Sequence, residues 1–362
     1  MGMTFQRACL LVGLAAQAAC AQLGDEADDG ATVEPGAIAT TTQASTPSWT
    51  WGFAWVNPGA PLLPEYSFNS SGGTNTYSGT NGLYSVFMPG LTQGGGNVQV
   101  VGYGPTAVRC KVASWGTSGS GTLINVRCHN PAGALAASPF VVSYDHAVAG
   151  VGSTYLWYDG ASAPASYSFN AAGGANSVVR LSLGRYRVSL GGLTSYNGSL
   201  HVTAYGNGPE HCSVESLFAG VTAYVRCFNT SGGAADSMFS LHFTNSTPRA
   251  GMIGGHAFIS GPTNAPAAYQ TNQHWVSCFT TPPITVSAFK DVYYPDTFLS
   301  GSTPSMSLST AYGIDGNYCK VVQWGAQATG YMARTQCFTP AGAPVTSPFL
   351  SSFMLASVPG PC

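Results

Sequence analysis

The strongest constraint on how this chain can fold is a frame of tyrosine, glycine and cysteine that it carries three times. The first copy is Tyr84, Tyr103-Gly104, Cys110 and Cys128. The second is Tyr186, Tyr205-Gly206, Cys212 and Cys227, and the third Tyr293, Tyr312-Gly313, Cys319 and Cys337. In every copy the leading tyrosine stands 26 residues before the first cysteine, and the Tyr-Gly tyrosine stands seven before it. Such spacing describes one structural unit used three times.

The composition says what kind of unit it is. Charged residues make up 7% of the 362 residues, against roughly 25% in an ordinary soluble chain. Glycine (46 residues) and aromatics (12%) are abundant in their place. Glycine and β-branched or aromatic residues are poor helix formers and good turn or strand formers, so an all-β fold is expected. The formal net charge of −2 and the scatter of the 12 Lys and Arg give no electrostatic case for nucleic acid as a partner.

The N-terminus reads as an export signal over 1–21. Arg7 precedes the apolar run Ala8 to Ala16, and small residues follow at Ala18, Ala19 and Ala21. The run is shorter than the roughly 20 residues that span a bilayer, and no other stretch approaches that length, so no transmembrane span is expected. Two cleavage routes stay open: release after Ala21, or lipid anchoring at Cys20, where Gln17-Ala18-Ala19-Cys20 resembles a bacterial lipobox with glutamine in place of the preferred leucine. Residues 22–48 carry Asp25, Glu26, Asp28, Asp29 and Glu34 and then Thr, Ala, Ser and Pro; they hold too little apolar surface to offset ordering entropy and read as a disordered tether.

Three tandem β-sandwich repeat domains are expected to follow, at 49–150, 151–250 and 251–362, with Ig-like or jelly-roll-like strand order. In the first two, Tyr66-Ser67-Phe68-Asn69 and Tyr167-Ser168-Phe169-Asn170 each run into a Gly-Gly turn, and period-two alternation follows at Tyr84, Val86, Met88 and at Tyr186, Val188, Leu190. The third repeat keeps the cysteine frame and loses the Tyr-Ser-Phe-Asn strand.

Pairing the two cysteine strands of each repeat antiparallel sets the cysteines opposite one another. The expected bridges are Cys110 with Cys128, Cys212 with Cys227, Cys319 with Cys337 and, by elimination, Cys278 with Cys362. No Cys-x-x-Cys occurs, and export favours disulfides over zinc, so neither a metal nor another cofactor is expected.

Chemistry is sparse. The chain has no Gly-x-Ser-x-Gly and no His-Glu-x-x-His. A glycosidase needs two carboxyl groups flanking the scissile bond, and the third repeat, with Asp291, Asp296, Asp315 and His274, is where such a site would be sought. Asp145-His146 reads as solvation of a linker, Glu210-His211 as a loop, and Ile314-Asp315-Gly316-Asn317 as a turn. Arg127 and Arg226 read as solvent-facing neighbours of inward cysteines.

The aromatics give the one positive hint. Trp115 and Trp324 lie five residues after the first cysteine in copies one and three, where copy two has Leu217. A tryptophan at a hairpin tip stacks on a sugar or inserts into a partner surface, and it serves equally well as a cover for the disulfide. The expectation is an exported cell-surface or secreted binding or structural protein, adhesin-like or an envelope component, with carbohydrate or a cell-surface protein as the partner. A secreted hydrolase with its carboxylates in the third repeat and a spacer without a ligand are the alternatives.

Overall fold

The computed structural model describes residues 49–149, 152–194, 198–218, 221–245, 252–260, 271–273, 285–287, 290–295, 304–328 and 330–356. Residues 1–48, where the export signal and tether are expected, and Cys278, Cys362, His274 and Asp296 lie outside the described residues. Among the described residues strands dominate, and no helix is long and apolar enough to cross a membrane.

The first repeat supplies β1 (Thr50–Val56), β2 (Ser67–Asn69), β3 (Thr76–Thr80), β4 (Leu83–Pro89), β5 (Asn97–Gly102), β6 (Arg109–Ser118), β7 (Gly121–His129) and β8 (Phe140–His146). The second supplies β9 (Ser153–Tyr158), β10 (Ser168–Asn170), β11 (Asn176–Ser182), β12 (Arg185–Leu190), β13 (Gly198–Tyr205), β14 (His211–Phe218), β15 (Thr222–Phe228) and β16 (Met238–Asn245). The third supplies β17 (Met252–Ile259), β18 (Thr271–Gln273), β19 (Thr285–Ser287), β20 (Asp291–Pro295), β21 (Ser305–Ala311), β22 (Tyr318–Gln327), β23 (Gly330–Phe338), a short β24 (Pro344–Val345) and β25 (Phe349–Ala356).

Strand order repeats with the sequence. One sheet of the first repeat runs β2-β1-β8-β5 and the other β3-β4-β7-β6; the second repeat runs β10-β9-β16-β13 and β11-β12-β15-β14, the third β18-β17-β25-β21 and β19-β20-β23-β22. In each repeat the first strand pairs with the last (β1–β8, β9–β16, β17–β25) and the fourth with the seventh (β4–β7, β12–β15, β20–β23), all antiparallel. This nested first-with-last winding is jelly-roll-like, and successive strands also pair, as in β1-β2, β3-β4 and β6-β7. Inward residues of both sheets form the core, as Val86, Met88, Val98, Ile124, Phe140 and Val142 do in the first repeat.

The cysteine hairpins form as expected. Cys110 pairs with Cys128, Cys212 with Cys227 and Cys319 with Cys337 in register, and all three pairs are bridged with Cα atoms 3.9–4.0 Å apart. One part of the frame is displaced. Tyr84 and Tyr186 are buried, each opposite the residue two before the second cysteine. In the third repeat Tyr293 is 37% exposed, and Tyr294 takes the buried face. The 26-residue step to Tyr293 is therefore a coincidence of spacing. Thr335, two before Cys337, donates its backbone N–H to Lys290 O instead.

The repeats do not string out. The described residues all fall in one compact unit, and each Tyr-Gly pair closes a contact with another repeat. Gly206 N–H donates to Val112 O, Gly313 N–H to Val214 O, and Gly104 N–H to Val321 O, each at 2.9 Å. The adjoining tyrosines pair in parallel with the same valines: Tyr205 with Val112, Tyr312 with Val214, Tyr103 with Val321. The second repeat thus joins the first, the third joins the second, and the first joins the third. A bond from each repeat to its predecessor, completed from first to third, makes a closed ring with pseudo-three-fold symmetry. Glycine is needed at these corners because φ is +90° at Gly104, +104° at Gly206 and +133° at Gly313.

Candidate functional site: the ring axis and the outer face

The residue just before each first cysteine points into the ring. Arg109, His211 and Tyr318 occupy this place, and each reaches the same position of the following repeat. Arg109 donates through Nη2 to Pro209 O at 3.0 Å, His211 through Nε2 to Gly316 O at 2.7 Å, and the Tyr318 hydroxyl to Ala107 O at 2.5 Å. Tyr318 lies between the other two: the Arg109 guanidinium is 5.3 Å from its ring centroid and the His211 ring is edge-on at 5.4 Å. Of the Glu210-His211 pair, Glu210 lies on the loop as expected, whereas His211 opens β14 and is buried.

Two residues further along the same strands stand Lys111, Ser213 and Lys320, all buried. Lys111 Nζ faces Glu210 Oε2 at 3.5 Å, Ser213 Oγ donates to Gly313 O at 3.4 Å, and Lys320 Nζ donates to Thr106 O at 2.9 Å and Val108 O at 2.8 Å. Burial pulls the Lys320 ammonium down to about 7 and, against the opposing pull of Glu210, the Lys111 ammonium down to about 8. Burial, reinforced by the nearby Arg109 charge, lowers His211 to about 3. Arg109, Lys111, His129, Glu210, His211, Tyr318 and Lys320 line a cavity of about 60 Å³ at the axis.

Three matching turns meet at this end of the ring. Each follows a second cysteine, is closed by a backbone bond across it, and carries a glycine with positive φ: Gly133 (+89°), Gly232 (+84°) and Gly342 (+88°). A Cβ on Gly133 would stand 2.9 Å from Thr230, on Gly232 2.5 Å from Pro340, and on Gly342 2.6 Å from Pro131. Each turn therefore abuts the next repeat's turn too closely for a side chain.

Trp115 and Trp324 are placed at the ring contacts rather than at exposed hairpin tips. Trp324 is 7% exposed and lies edge-on to Trp55, Tyr66 and Tyr103 of the first repeat, with centroids 5.1–6.4 Å apart. Trp115 is 8% exposed and meets Trp157, Tyr167 and Tyr205 of the second repeat in the same way, at 5.5–5.8 Å. Leu217 fills the matching slot, where Phe258 and Tyr312 pack against its cluster. The surface with which these tryptophans would stack on a sugar is occupied by the neighbouring repeat.

A second buried polar group joins the first two repeats. Ser153 Oγ lies 2.6 Å from Asp145 Oδ2 and 2.7 Å from His242 Nε2, and that same Nε2 is 3.1 Å from Asp145. A nucleophile relay sets hydroxyl and carboxylate on opposite ring nitrogens, with the hydroxyl open to substrate. Here both meet one nitrogen and Ser153 is fully buried, so the trio acts as a clamp between repeats. Asp145 therefore does not solvate a linker. Similarly, His201 bridges Thr310 Oγ1 at 2.9 Å and Ser352 Oγ at 2.7 Å between the second and third repeats.

The third-repeat carboxylates do not converge among the described residues. Asp291 is held by Arg334 in a bidentate pair at 2.6 and 2.7 Å, whereas Asp315 sits on an exposed turn. Arg127 and Arg226 are half-buried; Arg127 reaches Asn207 O and Arg226 pairs with Glu215 at 2.6 Å.

The outer sheet of the second repeat carries an exposed mixed patch. Phe218, 54% exposed, lies edge-on to Tyr224 at 5.8 Å, and the Arg185 guanidinium stands 5.1 Å from the Tyr224 ring centroid. Arg185 and Arg226 are both fixed on Glu215. Register places exposed Arg187 beside Tyr224 and exposed Val179 beside Arg187. Sequence reasoning passed over this patch because Phe218 and Tyr224 belong to no repeat motif. Comparison of the chain with protein-family models, curated proteins and solved structures finds no match.

Proposed function

We propose that this is an exported, cell-surface or secreted binding or structural protein, adhesin-like or an envelope component, whose ring is a rigid scaffold for a contact surface. The observation that carries the reading is the Phe218, Tyr224, Arg185, Arg187 and Val179 patch on the outer sheet of the second repeat. Aromatic and arginine side chains dominate the energetics of protein interfaces, and an exposed aromatic face also stacks on sugars. Arg185 and Tyr224 are held in place by Glu215 and the sheet, so little side-chain entropy remains to be lost on contact. Three disulfides agree with an oxidising compartment, and the N-terminal signal supplies the route to it.

The test is retention of the oxidised chain on washed cell envelopes and on insoluble polysaccharides, compared with a Phe218→Ala, Tyr224→Ala double variant. Retention that the double variant loses supports the reading. Equal retention of both proteins, or none of either, counts against it.

A further inference from the structure

The axial cavity carries a charge imbalance that the ring itself does not neutralise. Arg109, Lys111 and Lys320 line it at 7%, 4% and 1% exposure, and Glu210 is the one carboxylate on its wall. Burying unpaired charge costs several kcal/mol per ion even after relaxation, and the usual remedies are a counterion or loss of the proton. Glu210 lies 3.5 Å from Lys111 and offers nothing comparable to Lys320, whose ammonium donates to the neutral carbonyls of Thr106 and Val108.

The wall also holds polar atoms without a partner. Arg109 Nη1, His129 Nε2 and His211 Nδ1 are buried and make no hydrogen bond within the protein. The other ring nitrogen of each histidine is engaged, His129 Nδ1 with Gly133 O at 3.0 Å and His211 Nε2 with Gly316 O. Both free nitrogens could therefore take a proton and become donors once a negative charge stands nearby. By the usual allowance of 10–15 Å³ per water, 60 Å³ has room for about four to six waters, comparable to one tetrahedral ion.

We propose that the ring axis is an anion site that takes one small inorganic oxyanion of the phosphate or sulfate class, held by Arg109, Lys111 and Lys320 from two of the three repeats. The ion joins the first repeat to the third and neutralises the cluster. Pseudo-three-fold convergence suits it, since the lining comes from equivalent positions of β6, β14 and β22. This site is independent of the outer patch, so either could fail without the other.

The test is thermal unfolding of the oxidised chain, freed of phosphate and sulfate, with phosphate, sulfate, chloride or acetate added at constant ionic strength. Phosphate or sulfate is expected to raise Tm along a saturating curve. General salting-in or salting-out gives an unsaturating trend shared by all variants. Lys111→Met and Arg109→Gln should each shift half-saturation at least tenfold, whereas Lys290→Gln, at an exposed position outside the cavity, should leave it in place. Native mass spectrometry of the wild-type chain gives a second readout that needs no variant, with one oxyanion per chain expected. A linear response, an equal response in Lys111→Met, or no retained oxyanion would overturn the proposal.

Discussion

Gly104 N–H and Val321 O lie 2.9 Å apart although 217 positions separate them, and their hydrogen bond closes the ring. The matching bonds from Gly206 to Val112 and from Gly313 to Val214 join repeats that follow one another in the chain. Of these three backbone bonds, that of Gly104 is the one that joins the first repeat to the last. It turns a row of three sandwiches into a cycle in which every repeat has two neighbours.

Trp324 should be among the residues that hold this closure. It fills a slot walled by Trp55, Tyr66 and Tyr103, and truncating a buried tryptophan costs about 3–5 kcal/mol. Trp324→Ala should lower stability in denaturant unfolding by that order. Trp324→Leu should cost less, because Leu217 fills the equivalent slot of the second repeat.

Two glycines separate backbone strain from contact between repeats. Gly59 and Gly342 have nearly the same φ, +87° and +88°, but a Cβ on Gly59 meets nothing within 4 Å while one on Gly342 stands 2.6 Å from Pro131. Placing alanine in the left-handed region costs roughly 1 kcal/mol at either site. Gly342→Ala should lose clearly more than Gly59→Ala in chemical unfolding. The excess measures how tightly the third-repeat turn seats against the first.

Stability should rise with pH over two ranges. Buried His201, His211 and His256 are lowered from 6.5 to about 3, 3 and 4, mainly by desolvation, so they stay neutral in the fold while the unfolded chain takes up protons below 6.5. Stability is thus lost as pH falls from about 6.5 toward 3. Lys320 is depressed from 10.5 to about 7, so between these values the unfolded state again binds more protons and stability climbs with pH. The full penalty of Lys320 is present below 7 and fades toward 10.5. Denaturant midpoints measured from pH 4 to 10 should show both slopes, and Lys320→Met should flatten the upper one.

Each hairpin bridge closes a short loop, of 15 residues' separation for Cys212–Cys227 and 18 for the other two. The chain-entropy model gives about 3 kcal/mol for loops of that length. Replacing Cys212 and Cys227 together by serine should cost about that much in equilibrium unfolding. Non-reducing peptide maps of the parent should show the three hairpin pairs.

The parts legible in the sequence were those written into local pattern. Cross-strand cysteines, alternation at Val86 and Val188, and the Gly-Gly turns specify hairpins and a two-layer fold, because each depends on neighbours a few residues away. What the sequence hid depends on contacts between repeats. The Tyr-Gly pair shows in the sequence only as a spacing, and its glycine amide bonds to another repeat. Trp115 and Trp324 looked like hairpin-tip residues, since nothing local reveals that a neighbouring repeat supplies the slot. Asp145 and His242 are 97 positions apart, and only the ring brings them to 3.1 Å. One signal was available for the axis: a long polar side chain precedes the first cysteine in every copy, as Arg109, His211 and Tyr318, at a place where a buried strand would ordinarily be apolar.

Hydrogen exchange at the amides of Gly104, Gly206 and Gly313 tests ring closure most directly. In the closed ring all three are bonded across repeat boundaries, and they should exchange as slowly as the sheet-interior amides of Val100 and Val202. If Gly104 exchanges at the rate of an open turn while Gly206 and Gly313 are protected, the chain is an open row of sandwiches and the ring is contradicted.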